Sequence, residues 1–547
     1  MEKTIIDPSV FGIEPNLNKD LGGNFKELFN YISTLTTPSV LMLKEGVYHI
    51  DTENCQKVEV NITNTASKKE ISKQIHTFAL YLKNIKNLEI NACGASILFD
   101  RLTTGICIEN CQNIIINGLT TGYKTPSVFQ AEVIKKGRFS AVFSVPECCP
   151  YLLKNGKLYS LGAGLKRKIA RKNKDASNVL FLTDRALRTN ENPFARKFII
   201  KEIKKGTLKV TGFLNKSVNP GNIYVLGTCI RSEVGVFINK SKNVFFNDYV
   251  QNYNHSHGVV AQCSENLFFN DISFIPANGI KIASHTDFLH FNSCRGKISV
   301  KDSTFCGAND DCINVHGVFF KIKEVFKNKL ICSFMHDQTF GFNPIIPGDM
   351  VGFYDPNDLL LKGKEKVVDS TLLNDYDVEL TFEKVIDNSI VGMGLDNLTA
   401  QPDLDFISND VSFVTTRGVL CTTSGKVKII GNRFNKTSMP GIFISDDCSS
   451  WYESGPVKDI LIEENVFDNC GENAVLIKPE NKINNGPVHK NITVKNNTFN
   501  LKKGTFAINA SFVEGLTISG NKISSEIKYP FKFTDCSLVK EENNIID

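Results

Sequence analysis

The amino-acid sequence predicts an all-β protein, a right-handed parallel β-helix of the pectate-lyase-like solenoid type carrying two inserted small β-barrel-like modules. Three observations predict it. A strand-and-asparagine unit recurs every 23 to 33 residues, a second alternating strand advances with it, and the repeat lapses over two long stretches.

The unit is clearest near the C-terminus, where an apolar strand leads into Asn, any residue and an apolar residue. It reads Ile429-Ile430-Gly431-Asn432-Arg433-Phe434, and returns around Asn465, Asn497 and Asn521 at spacings of 33, 32 and 24 residues. Earlier in the chain it appears as Ile90-Asn91-Ala92-Cys93, Ile116-Asn117, Phe246-Asn247 and Phe269-Asn270. The second strand type is Val419/Cys421, Ile442/Ile444, Val475/Ile477, Phe506/Ile508 and Phe531/Phe533, alternating in and out. These patterns imply two strands per coil, each bonded to its equivalent one turn later at about 4.8 Å. Asn suits the bend because it tolerates the left-handed backbone and can hydrogen-bond to the next Asn in a ladder. A leucine-rich repeat would need a leucine consensus, and a propeller would need regular antiparallel hairpins. Neither pattern is present.

The ends and interruptions follow the same reading. Phe25, Leu28, Phe29 and Ile32 fall at helical spacing after Gly22-Gly23, as expected of a helix capping the first coil. The division is therefore 1–120 for the cap and first coils, 121–235 for one inserted module, 236–317 for further coils, 318–410 for the second module and 411–547 for the last coils. The modules echo each other: Phe198–Ile203 matches Phe320–Val325, and each is followed by a Pro-Gly turn and another strand, at Pro220-Gly221 and Pro347-Gly348. Insertions in a solenoid tend to gather on the binding face.

Composition narrows the function classes. With 41% apolar residues the chain is not disordered, and no stretch approaches the roughly 18 apolar residues of a membrane span. A net charge of +5, and a basic run from Lys166 to Lys174 without aromatic residues between the charges, argue against a nucleic-acid partner. The sixteen cysteines show no paired CxxC spacing, so no metal site is expected. Cys93 and Cys421 read as small core hydrophobes, and Cys148-Cys149 as part of a loop. Met1–Pro8 lacks a signal-peptide core, leaving a cytoplasmic protein or an exported one whose signal has been removed. Oligomeric state, a homodimer included, stays open.

The chemistry concentrates between the two modules. Aligning inward residues pairs Leu289 with Ile313 and Phe291 with Val315, which stacks Asp287 on Asp311 and, one coil on, Arg417. Two carboxylates about 4.8 Å apart at an effective dielectric near 20 repel by roughly 3 kcal/mol. With Asp310 beside them, one carboxyl is expected to keep its proton while others ionise, the division of labour that glycoside hydrolysis uses. Asn309 belongs to the same segment. His290, Asn314 and His316 alternate with core residues and are expected to hold sugar hydroxyls. A second cluster offers Asp446 and Asp447 for hydroxyls or a cation, the lone Trp451 as a platform for a pyranose face, and Glu453.

These residues carry a resemblance. Asp287-x-x-His290, Cys294-Arg295-Gly296, Asn309-Asp310-Asp311-x-Ile313-Asn314-Val315-His316-Gly317, Arg417-Gly418 and Trp451-x-Glu453-Ser454-Gly455 together resemble glycoside hydrolase family 110, the α-1,3-galactosidases, over nearly the whole chain. The resemblance implies inverting hydrolysis of terminal α-1,3-linked galactose, of the blood-group B type or in linear glycans, without a metal or other cofactor. It implies Asp287, Asp310 and Asp311 as the catalytic trio, with Asp310 taken as the acid and the other two as holders of the water across roughly 6.5–9.5 Å. Three alternatives accompany it. One is a polygalacturonase-like hydrolase, whose further histidine and basic motifs are unmatched. The others are a calcium-dependent polysaccharide lyase with Arg417 as base, and a non-catalytic glycan-binding solenoid.

Overall fold

The apolar alternation produces three sheets, parallel from coil to coil, wound around one core. The computed structural model describes residues 3–92, 94–169, 178–195, 198–228 and 230–547. Their coils stack into a 13-stranded, a 12-stranded and a second 13-stranded sheet. Each coil therefore carries three strands rather than two. The strand missing from the sequence reading is short, only Val250–Gln251 in one coil and Ser273–Phe274 in the next, too brief to show a period.

Inward residues line up coil upon coil. Val259, Leu289, Ile313, Val419 and Ile442 stack in the third sheet, and all five are buried. Phe434, Phe467 and Phe499 form a column with ring centroids 5.1 and 4.8 Å apart, close to the strand spacing itself. The expected pairs Val419/Cys421 to Val475/Ile477 hold. At the next coil the inward pair is Ile508/Ala510, not Phe506/Ile508, because Val475 pairs with Ile508. Phe506 is half-buried just ahead of that strand.

The asparagines form three ladders. Asn432 donates from Nδ2 to Asn465 Oδ1 at 2.9 Å, Asn465 to Asn497 at 3.0 Å and Asn497 to Asn521 at 3.0 Å, with Asn409 and Asn544 extending the row. Asn117, Asn247 and Asn270 ladder two residues earlier in the coil, at the strand end. Neither row has the left-handed backbone expected of it. That conformation belongs to a third row, Asn87, Asn113, Asn243 and Asn266, with φ between 56° and 57°.

Gly22–Ile32 is the expected capping helix, burying Phe25, Leu28, Phe29 and Ile32 over the first coil. The second inserted module is a closed six-stranded barrel, Phe320 to Asn397, around Phe320, Phe353 and Leu380. Strand Asp403–Ile407 already pairs with Lys297–Lys301, so the coil resumes inside the stretch assigned to that module. The first module is a seven-stranded antiparallel sheet over Phe129, Phe143 and Tyr224. Among the described residues its edges, Ala186–Thr189 and Ile199–Lys204, do not meet, so the sequence echo does not extend to barrel closure. Cys421 is buried in the core, and Cys148-Cys149 lies in a turn. Cys93 and residues 170–174 of the basic run lie outside the described residues.

Candidate active site

The third sheet sets the site, because its coil-to-coil register puts successive bends in a row. Phe288 N donates to Asp311 O at 3.0 Å and Cys312 N to Arg417 O at 3.0 Å, so Asp287, Asp311 and Arg417 follow one another as the inward alignment requires. One coil earlier the same row holds His257, whose neighbour Gly258 donates to Asp287 O. The row beside it runs Ser256, Thr286, Asp310 and Thr416. His257 and Thr416 were overlooked, although the same register reaches them.

Around these rows lies a cavity of about 480 Å³. Of the expected residues, Asp287, His290, Asp310, Asp311, Asn314, Arg417, Asp447, Trp451 and Glu453 line it; Asn309, His316 and Asp446 do not. Arg188, Arg231 and Asn64 complete the wall. Arg188 comes from the first module, Arg231 from the segment returning from it, and Asn64 from a loop near the N-terminus that is pinned by Gln262 and Gln338. No repeat governs these three, so no sequence pattern pointed to them.

The aspartates differ sharply in their partners. Asp311 is clamped: Oδ1 accepts from Thr416 Oγ1 at 2.6 Å and Arg417 Nε at 2.7 Å, and Oδ2 from Arg417 Nη2 at 2.7 Å. Asp310 Oδ2 meets both Arg188 Nη2 and Arg231 Nη2 at 3.0 Å, while Oδ1 has Thr416 Oγ1 at 3.4 Å. Burial opposes ionisation of Asp310, but the guanidiniums of Arg188, Arg231 and Arg417 outweigh it and hold the carboxyl below the usual range. Asp287 goes the other way. Burial first, then the charges of Asp310 and Asp311, hold its carboxyl well above the usual carboxylate range. Its Oδ2 meets His290 Nδ1 at 2.7 Å, with His257 Nε2 at 4.0 Å. The two shifts favour Asp287 over Asp310 as the carboxyl that keeps its proton, and the cause is the pair of arginines that the sequence did not place.

One oxygen from each of the three aspartates lies within 4.8 Å of the others, as the coil register expects of Asp287 and Asp311 and closer than the roughly 6.5–9.5 Å that the resemblance implied. His257, Asp287 and His290 also bring one ligand atom each within 4.8 Å. Two ligands of a tetrahedral zinc ion stand about 3.3 Å apart. The 2.7 Å between His290 Nδ1 and Asp287 Oδ2 is instead the length of a shared proton. Around Asp310 and Asp311, three guanidiniums fill the places a cation would need.

The second cluster divides. Asp447 accepts from the backbone N–H groups of Ser449, Ser450 and Trp451 at 2.6–2.9 Å, so it shapes the loop that presents Trp451. Trp451 is 47% exposed, its ring 4.5 Å from His336 of the second module. Asp446 turns into the protein, accepting from Gly455 N at 2.9 Å, and burial holds its carboxyl well above the usual range. It is a packing residue. Glu453 Oε1 accepts from Asn314 Nδ2 at 3.2 Å, and Asn309 lends its carbonyl to Arg188 at 2.6 Å.

A cavity that raises the proton affinity of one carboxyl and lowers that of its neighbour suits glycosidic bond cleavage, and fold and cavity together define a β-helix glycoside hydrolase. The family model described as GLAA-B beta-barrel domain II matches residues 329–392, within the second module, and that of the right handed beta helix region matches residues 377–547. The chain is 32% identical to alpha-1,3-galactosidase A of Bacteroides thetaiotaomicron, covering 94% of this chain and 91% of that one. It is 33% identical to alpha-1,3-galactosidase A of Akkermansia muciniphila, covering 81% and 74%. Among solved structures, a family 28 exopolygalacturonase of Yersinia enterocolitica aligns with a TM-score of 0.42 at 11% identity, covering 98% of this chain and 78% of that one. The chain belongs to the α-1,3-galactosidase family, as the motifs around Asp287 and Asp311 implied.

Proposed function

We propose that this family member removes terminal α-1,3-linked galactose from glycans, of the blood-group B type or in linear α-1,3-galactosides, with inversion at the anomeric carbon. The observation that carries the mechanism is the contrast in partners within one cavity: two guanidiniums on Asp310, and for Asp287 only burial against His290 and the neighbouring carboxylates. Asp287 gives its proton to the glycosidic oxygen as the bond to C1 breaks. Water attacks C1 from the opposite face and passes a proton to Asp310, whose Oδ1 is the least engaged ionised oxygen of the trio. Asp311 fixes Arg417 and the Thr416 hydroxyl that stands beside Asp310.

The short spacing of the aspartates alone would suit a covalent intermediate, but guanidiniums bind Asp310 Oδ2 and both oxygens of Asp311, which weakens either as a nucleophile and is the ground for inversion. Asn314, Glu453 and the Trp451 face are left for sugar hydroxyls and ring. The test is NMR of the first sugar released from a B-type trisaccharide and from α-1,3-galactobiose. β-Galactose appearing first supports the reading, α-galactose first overturns inversion, and release from neither overturns the substrate.

A further inference from the structure

His290 and His316 were expected to touch substrate, but their ring nitrogens are taken up by each other, by Asp287 and by the Gly317 carbonyl. His316 Nδ1 lies 2.7 Å from the Gly317 carbonyl, which can only accept, so that nitrogen carries hydrogen. His316 Nε2 lies 3.0 Å from His290 Nε2. Burial lowers both imidazoles, His290 to about 4, so both are neutral at neutral pH. A neutral His316 with hydrogen on Nδ1 offers a lone pair at Nε2, so His290 must donate from Nε2. His290 Nδ1 is then a lone pair, and it faces Asp287 Oδ2 at 2.7 Å. Only a hydrogen on the Asp287 carboxyl completes that contact.

We propose that His316 is a positioning residue for the catalytic acid: by fixing the tautomer of His290, it obliges Asp287 to keep its proton between turnovers. The inference rests on the reading of Asp287 as the acid. Once Asp287 has given its proton away, either a lone pair faces a carboxylate across 2.7 Å or the two Nε2 lone pairs face each other across 3.0 Å. Recapture of a proton relieves both. The groups facing this chain leave it intact. His257 is buried and neutral at 4.0 Å from Asp287, while Arg231 and Arg417 are engaged by Asp310 and Asp311. Glu453 stands 3.6 Å from His316 Nε2, beyond hydrogen-bonding distance, and already accepts from Asn314. His336 lies further out, against Trp451.

The experiment compares His316→Phe, which lacks the acceptor, with His316→Gln, whose Oε1 can replace it. The substrates are α-1,3-galactobiose, which needs its leaving oxygen protonated, and α-galactosyl fluoride, which does not. His316→Phe is expected to lose roughly 30- to 100-fold in kcat on the disaccharide with KM little changed, and about 3-fold or less on the fluoride. Its alkaline limb moves to lower pH, and His316→Gln recovers most of the loss. Equal losses on both substrates, or an unmoved alkaline limb, overturn the proposal; retained fluoride turnover shows that the variant is folded. Asp287→Asn on the same pair separates the two readings. If it spares the fluoride while His316→Phe does not, only the role of His316 falls. If it strikes both substrates alike, Asp287 is not the acid.

Discussion

Arg188 Nη2 and Asp310 Oδ2 meet at 3.0 Å although one belongs to an antiparallel module and the other to a β-helix bend. The module is held there by the Ser438 hydroxyl, which donates to the Ala186 carbonyl two residues before Arg188. Arg231 reaches the same oxygen at the same distance. A reactive carboxylate thus depends on a second folding unit for its charge.

Removing one of those guanidiniums is expected to raise the proton affinity of Asp310 and so to disable it in its proposed role of base. Arg231→Leu is expected to lower kcat/KM by about 10²-fold, in the range of a removed preorganised donor. Arg188→Leu should cost less, because its side chain is about twice as exposed. Steady-state kinetics on α-1,3-galactobiose check the order; equal, trivial losses would show that Asp310 needs neither.

The coil rows were legible because apolar alternation is local: Leu289 over Ile313 and Phe291 over Val315 fix Asp287 against Asp311 with no knowledge of the rest. That logic ends where strands end. Asp446 was offered for hydroxyls or a cation, but just past the strand that ends at Ile444 it is buried and turned into the protein. Phe506 was taken into a strand that begins after it. Arg188 and Arg231 were out of reach altogether, since how an inserted module docks is decided by surface fit, which has no period. Without those cations, nothing in the coil register distinguishes Asp310 from Asp287 as candidate base and acid.

Asp396, on the last strand of the barrel, gives a pH signature. Burial raises its carboxyl from 3.8 to about 6, against hydrogen bonds from Ser454 and Gln401. The folded protein therefore holds this proton more tightly than the unfolded chain. Its contribution to stability is full below pH 4, falls by about 3 kcal/mol as pH rises to about 6, and is constant above that. Asp396→Asn should flatten this part of the profile. Urea unfolding of both proteins between pH 4 and 7 measures the difference; parallel curves would refute it.

Trp451 tests the rim of the cavity. Its loop is clamped by Asp447 and its ring is half-exposed, so Trp451→Ala leaves the fold intact. Loss of the platform is expected to raise KM by roughly 3- to 10-fold, the equivalent of 0.5–1.5 kcal/mol, with kcat nearly unchanged. Michaelis curves on the B-type trisaccharide decide, and a fall in kcat at constant KM would remove Trp451 from substrate binding.

Asn465 tests the ladder that holds the last coils together. It is fully buried, donating to Ile429 O at 2.8 Å and Asn497 Oδ1 at 3.0 Å while its own Oδ1 accepts from the backbone and side-chain nitrogens of Asn432, both at 2.9 Å. Asn465→Ala strands the Asn432 N–H groups and the Ile429 carbonyl without water to replace the partner. At about 1–3 kcal/mol for a buried group left unpaired, the loss should reach about 3 kcal/mol or more. Asn117→Ala, in the half-buried row, should cost about 1 kcal/mol, because solvent reaches its partners. Urea unfolding of the two variants ranks the rows. The same loss in both would mean that the ladders stabilise through backbone geometry rather than through their amide hydrogen bonds.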